Sequence, residues 1–220
     1  MDLSKNIGDP LAHMPKGLAS KIRSLDWYTV DIFEQRIAEF FGAPFAVAVD
    51  SCTHGLELCL RYKKFTHLVC PKHTYLSIPM LANKLNIPLS WNDSNWSEYY
   101  NLSCAVRDCA TMWGKDKYHG FGFSCISFQH QKHLSLGRGG MILCDSKGSA
   151  EQLKKMSYDG RIPGIPWREQ DVDTIGYHYY MTPETAQLGL SKLDAAITTP
   201  PRVWSWEDYP DISQFKVFKK

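Results

Sequence analysis

The sequence predicts an α/β protein in three layers, a mostly parallel sheet sandwiched between helices. Two observations carry that expectation. Short apolar runs alternate with amphipathic stretches from residue 46 to residue 91, and strand, helix, strand, helix, strand is the rhythm of a parallel sheet with crossover helices. Polar residues then gather just after the apolar runs: Ser51 and Thr53 after one, Thr74 and Tyr75 after another, Asp108 after a third, Ser127 and Lys132 after a fourth. Open α/β sheets bind ligands outside the carboxyl ends of their strands, so these residues are expected to share one cleft.

The elements follow in order. Residues 1 to 18 carry Gly8, Pro10, Pro15 and Gly17 and read as an irregular arm. Residues 18–41 place Phe33, Ile37, Phe40 and Phe41 at helical spacing, with room for a break at Asp26 and Trp27 and with Gly42 as the stop. Residues 46–49 read as a short buried strand. Ser51, Cys52 and Thr53 then precede an amphipathic helix over 55–62, and the exposed amides of a helix start favour an anion. Simple capping by Ser51 or Thr53 accounts for the same residues. Residues 67–70 form the next strand, 75–85 a helix with Pro79 near its first turn, and 87–91 a third strand ending at Asn92 and Asp93. Residues 94–101 are a polar, aromatic link, and 104–106 a strand that runs into Asp108.

Residues 127–140 organise the rest. An apolar strand over 123–128 leads to Lys132, and Gly139 and Gly140 then lead into a second strand over 141–144. A lysine there is either a solvated loop charge or a placed amine. Residues 148–158 read as a helix, followed by a Pro/Gly loop through Pro166. Thr182, Pro183 and Glu184 start a capped helix that runs to about residue 196. The tail, with Pro200, Pro201, Trp204, Trp206 and Pro210, reads as irregular.

Composition narrows the class. The 220 residues suffice for one full core plus a small appendage. Hydrophobic residues at 44% and charged residues at 22% are the balance of a soluble globular protein. A formal net charge of +2 supplies no basic field for nucleic acid. The first residues hold no apolar run of signal-peptide length and no stretch reaches membrane-spanning length, so a cytoplasmic protein off the membrane is expected. The seven cysteines are odd in number, form no C-x-x-C pair and lie mostly inside apolar runs, which argues for a reducing compartment without a disulfide framework. His130 and His133 are too sparse for zinc, so no metal is expected.

The predicted cleft would gather hydroxyls at a helix start, an aromatic face, a carboxylate and a lysine. Those are the parts that pyridoxal phosphate requires: an amine for a Schiff base, an acid for the pyridinium nitrogen, a ring to pack on it, and donors for the phosphate. From the residues alone, a strand-end cap is the preferred reading of Asp108 and a core aromatic that of Tyr75.

Six segments in order resemble the DegT/DnrJ/EryC1/StrS family of sugar aminotransferases, pyridoxal-phosphate enzymes of fold type I. FEQRIAEFFGAPFAVAVDSCTHGLELCL is similar to the family's opening helix, first strand and S-G-T-x-A-L turn. CPKHTYLSIPMLANKLNIPLSWND is similar to its P-x-x-T-aromatic segment, and VRDCATMWG to its E-D-x-A-Q segment. SFQHQKHLSLGRGGMI resembles S-F-x-x-x-K-x-x-x-x-G-E-G-G. MSYDGR and GYHYYMTPETAQLGLSKLD resemble the two later segments. The resemblance runs from about Ile32 to Ala195.

It implies the large domain of the aminotransferase fold and a role for each residue. Lys132 would carry the Schiff base and shuttle the proton. Asp108 would keep the pyridine nitrogen protonated, Tyr75 would stack on the ring, and Ser127 with Ser51, Cys52 and Thr53 would hold the phosphate. Cys52 stands where the family has glycine, Thr111 where it has glutamine near the cofactor's O3′, and Arg138 where it has an acid before the paired glycines. His178 stands where an asparagine reaches the phosphate of the neighbouring subunit; it would replace that residue or sit in an aromatic cluster. A homodimer with active sites at the interface is implied.

The resemblance divides the chain into an N-terminal arm and helix (1–31), a cofactor-binding large domain (32–197) and an irregular tail (198–220), with the family's C-terminal small domain largely absent. It implies transfer of an amino group from an amino acid, glutamate or glutamine, to a keto-sugar, nucleotide-linked. Two alternatives stand beside it: another pyridoxal-phosphate reaction such as sugar dehydration, for which family members carry histidine in place of the lysine, and a cofactor-binding scaffold or partner subunit with reduced catalysis.

Overall fold

The computed structural model describes residues 16–120 and 122–219, with side chains described from Trp27 onward. Most of the arm expected over residues 1–18 therefore lies outside the described residues. Helix α1 (Lys16–Phe41) runs without a break past Asp26 and Trp27. It ends where Gly42 takes φ +72° and Ala43 N donates to Ala38 O at 2.9 Å, a left-handed closure that a side chain would strain.

The following elements are β1 (Phe45–Val49), α2 (Cys52–Lys63), β2 (Leu68–Pro71), α3 (Ser77–Lys84), β3 (Leu89–Asn92), β4 (Tyr100–Asn101), β5 (Val106–Asp108), β6 (Phe123–Ser127), β7 (Gly140–Cys144), α4 (Lys147–Ser157) and α5 (Pro183–Thr198). Ser51 caps α2 by accepting from His54 N, and Thr182 caps α5 by accepting from Thr185 N. Helix starts marked by short hydroxyl residues thus fall at those residues, because a side-chain oxygen there satisfies an amide with no intrahelical partner.

The architecture is α/β, but the sheet is mixed rather than mostly parallel. Five strands lie in the order β1-β7-β6-β5-β4. Only β5 and β6 pair in parallel; β7 pairs antiparallel with both β1 and β6, and β4 antiparallel with β5. The cause lies in the loop from residue 128 to 139. It contains no helix to carry the chain back across the sheet, so the chain returns directly beside β6 in the opposite direction. Strands β2 and β3 form a separate parallel pair, and Val69 N of β2 donates to Leu102 O at 3.1 Å, just beyond β4.

Alternation along the strands builds two cores. Val47 and Val49 of β1, Cys125 of β6, and Ile142 and Cys144 of β7 face α2 and α4, meeting Leu56, Leu60 and Leu153. Ala48, Ile126, Met141 and Leu143 face the other way, onto Phe33, Ile37 and Phe41 of α1 and Leu193 of α5. Successive residues of a strand point to opposite faces, so each strand serves both layers. Each fully buried large side chain contributes roughly 2 kcal/mol of apolar burial. Cysteine is part of this packing: Cys52, Cys59, Cys70 and Cys125 are buried free thiols of the first core.

Candidate active site

A cleft of about 370 Å³ opens where β1, β5 and β6 end and β7 begins. Eight of the nine residues predicted for the site line it: Ser51, Cys52, Thr53, Tyr75, Asp108, Thr111, Ser127 and Lys132. The sheet brings them together because each follows the end of a strand, except Lys132 and Thr111, which sit a few residues further along the same loops.

Asp108, 5% exposed at the end of β5, forms the floor. One carboxylate oxygen accepts from Ala110 N at 2.9 Å and the other from the Tyr100 hydroxyl at 2.5 Å. Tyr100 also shares a 2.5 Å hydrogen bond with Thr74. Burial pushes the Asp108 carboxyl above the usual carboxylate range; the two donors and the charge of Lys132 oppose it without reversing the direction. The same burial, with the adjacent Asp108 charge, holds the Tyr100 phenol well above its ordinary value, so it remains a donor.

Lys132 lines the same cleft, half-buried, on a loop fastened to itself. Its own amide donates to Gln129 O at 2.8 Å, Phe128 N donates to Gly139 O, and Leu136 N donates to Phe128 O, each at 2.9 Å. Leu134 and Leu136 are buried beneath it. Burial lowers the lysine's pKa, and the attraction of Asp108 restores only part of the shift. The amine is therefore more readily neutral than a surface lysine, as a nucleophile must be. Its neighbour His133 donates to Ala196 O at 2.8 Å, at the end of α5, and does not duplicate the lysine's position.

The α2 start forms the third side. Ser51 takes the cap, and Thr53 donates to Ser77 Oγ at 3.0 Å. Cys52 donates to Cys125 O at 3.3 Å, and burial drives its thiol pKa well up, so it contributes an amide rather than a thiolate. The start of β7 presses against this turn. A Cβ on Gly140 would lie 2.5 Å from Cys52 N, so only glycine permits that approach. Ser127 accepts from Gln129 N at 3.3 Å, and the Thr111 hydroxyl donates to Glu98 O at 2.8 Å. Tyr75 lies at the mouth, 63% exposed, an aromatic ring on the rim rather than in the core.

His178 is the exception. It does not line the cleft; its Nδ1 lies 3.1 Å from Asp159 Oδ2 and its ring packs on Tyr180, beside Tyr158 and Trp27. Within one chain it belongs to an aromatic cluster.

Tyr100 and Trp96 of the link over 94–101 escaped sequence reasoning; a Trp-rich tail can be expected to cover the cleft, but Trp204, Asp208 and Tyr209 are not singled out by it. The tail runs back along that link. Trp204 O accepts from Glu98 N at 2.8 Å, Trp206 N donates to Trp96 O at 3.0 Å, and His73 donates to Tyr209 O at 2.8 Å. Trp204 thereby lies beside Lys132, and both line the main cleft and a second one of about 230 Å³ that also meets Trp113, His133 and Arg202. The density of aromatic residues in a Pro-rich tail signals burial, but not which of them meet the cleft.

Comparison with known proteins adds the family. The model of the DegT/DnrJ/EryC1/StrS aminotransferase family matches residues 17–91 and 100–199. GDP-perosamine synthase of Escherichia coli O157:H7 is 34% identical over 96 residues, covering 41% of this chain and 26% of that protein. A putative pyridoxal phosphate-dependent aminotransferase, EpsN of Bacillus subtilis (strain 168), is 24% identical over 217 residues, covering 75% of this chain and 55% of that one. Among solved structures, AtS13 from Actinomadura melliaura shares the fold with a TM-score of 0.66 at 20% identity, covering 80% of this chain and 65% of that one. Helicobacter pylori PseC, an aminotransferase involved in the biosynthesis of pseudoaminic acid, gives 0.64 at 17% identity, covering 80% and 62%. The chain thus spans about half the length of EpsN and a quarter of the synthase.

Proposed function

Because this chain belongs to the DegT/DnrJ/EryC1/StrS aminotransferase family, whose cofactor is pyridoxal phosphate, we propose that it binds that cofactor through Lys132 and transfers an amino group from glutamate or glutamine to a nucleotide-linked keto-sugar. The carrying observation is that Lys132 and Asp108 line one cleft, with burial shifting the amine toward its neutral form.

The donor set fits the cofactor. The hydroxyls and amides of Ser51, Cys52, Thr53 and Ser127 suit a phosphate, Tyr75 offers a ring at the mouth, and Asp108 supplies a carboxylate where a ring nitrogen needs one. When bound, pyridoxal phosphate supplies an electron sink and a carrier for the amino group. The chain's own residues do the rest. Lys132 Nζ, which burial shifts toward the neutral form, would hold the cofactor and would take and return the proton that moves between donor carbon and acceptor. Tyr100 and Ala110 N fix the Asp108 carboxyl group in one orientation. Trp204, whose ring centre lies 5.4 Å from Lys132 Nζ, would shield the amine from water.

Transamination is preferred to sugar dehydration because Lys132 holds the cleft while His133 is tied to Ala196 O. Residues 32–197 are the proposed cofactor-binding unit. The proposed assembly is a homodimer in which His178 of each chain reaches the other's phosphate; its exposed ring and its distance from its own cleft support that reading.

The test is a visible spectrum with added pyridoxal phosphate, then borohydride trapping and peptide mapping. A yellow band trapped on Lys132, absent in Lys132→Ala and lost on adding glutamate or glutamine, is the expected result. A folded protein without that band would overturn the assignment; a band that no amino donor discharges would leave a cofactor-binding partner subunit.

A further inference from the structure

We propose that Arg138 supplies the cationic ligand of the phosphate end of this cleft from within the same chain; the inference rests on the cofactor reading above. Arg138 stands two residues before Gly140, whose backbone approach to Ser51 and Cys52 brings this segment against the α2 start. Its guanidinium sits on the residue just before the cap, donating to Asp50 Oδ2 at 2.7 Å and to Asp50 O at 3.3 Å. It lines the same cleft as Ser51, Cys52 and Thr53.

The charge balance of that corner requires such a group. A phosphate monoester carries close to two negative charges at neutral pH. The polar groups nearest the turn include Asp50, itself an anion, which also accepts from His54 Nδ1 at 2.6 Å, with the imidazole as donor. Without a cation, Asp50 would repel the phosphate from the helix start that otherwise attracts it. Arg138 neutralises Asp50 and still has further N–H groups to offer, because a guanidinium holds more donors than the two contacts use. Its side chain is 68% exposed, so it can turn between Asp50 and a phosphate without opening the core.

The experiment compares pyridoxal phosphate with pyridoxal, which lacks the phosphate but forms the same visible band. Both are titrated into the wild-type chain and into Arg138→Gln, Arg138→Lys and Asp50→Asn. Arg138→Gln is expected to weaken pyridoxal phosphate about tenfold or more while leaving pyridoxal within about twofold. Arg138→Lys is expected to fall between, and Asp50→Asn to hold or tighten pyridoxal phosphate. Equal losses for both ligands, or none for either, would overturn the inference, as would an Asp50→Asn variant that reproduces the Arg138→Gln loss, since the ion pair alone would then matter. A wild-type chain that forms the band with neither ligand overturns the cofactor reading instead.

Discussion

The Lys132 ammonium nitrogen lies 5.4 Å from the centre of the Trp204 ring. The two residues are far apart in sequence, and Trp204 lies beyond the residues that the family model matches. The ring has two opposed effects: its face favours the charged amine, and its bulk excludes water from it. The pKa of Lys132 is lowered with burial as the leading cause, and Trp204 is one of the residues around it.

Trp204→Ala is therefore expected to raise the pKa of Lys132 toward that of an ordinary lysine. A larger fraction of the amine would be protonated at neutral pH, and pyridoxal phosphate would bind covalently more slowly there. Following the rate of appearance of the visible band against pH checks this. A profile unmoved by the substitution would show that the tail does not control the amine.

Asp108→Asn is expected to weaken cofactor binding and to flatten the pH dependence of the cofactor-free protein's stability. The folded pKa of Asp108 is raised, so above the ordinary carboxylate range the native state holds a proton that the unfolded chain has released. Stability accordingly falls as pH rises through that window, and an amide, which does not titrate, removes the fall. Thermal melts of both proteins from acidic to neutral pH test the sign.

Gly140→Ala is expected to cost about 2 kcal/mol or more and to lower cofactor affinity together with stability. The added methyl meets backbone at Cys52 and Ser51 rather than a flexible side chain, so either β7 or the α2 start must shift. Urea denaturation and cofactor titration of the same variant measure both effects.

Lys154→Met is expected to destabilise the fold by about 2 kcal/mol, with recovery in the double variant Glu34→Gln/Lys154→Met. Glu34 of α1 is 8% exposed and bonds Lys154 of α4 at 2.6 Å and Ala48 N of β1 at 2.8 Å. Removing the lysine leaves a carboxylate buried without its cation, which costs more than losing the pair. A double-mutant cycle by chemical denaturation gives the coupling.

Local patterns in the chain were sufficient for most of the elements, though not for β4 or the short 3-10 turns of the tail, and for most of the cleft. Apolar runs followed by Ser51, Asp108 and Ser127 mark strand ends because polar groups must leave the sheet where its ladder stops. Thr182 and Pro183 mark a helix start because they satisfy or remove amides that lack partners. Signals of this kind act over a few residues and survive translation into any fold that keeps the strands. The direction of β7 was not legible, since it depends on the route of the loop over 128–139 relative to the rest of the sheet. Nor was the partner of His178 legible, because Asp159 meets it only after the chain has turned back at Gly160.

Sequence alone determined most of the strands, though not β4 within the link over 94–101, two capped helix starts, and the residues able to serve as amine, carboxylate and phosphate cradle. Tertiary structure decided the mixed sheet, the use of Trp204 and Tyr209 as walls of the cleft, the locking of Asp108 by Tyr100, and the pairing of Arg138 with Asp50. The physical reason is range. Periodicity and capping are set by neighbours along the chain, whereas desolvation, ring contacts and ion pairs depend on what long-range packing places within a few ångströms.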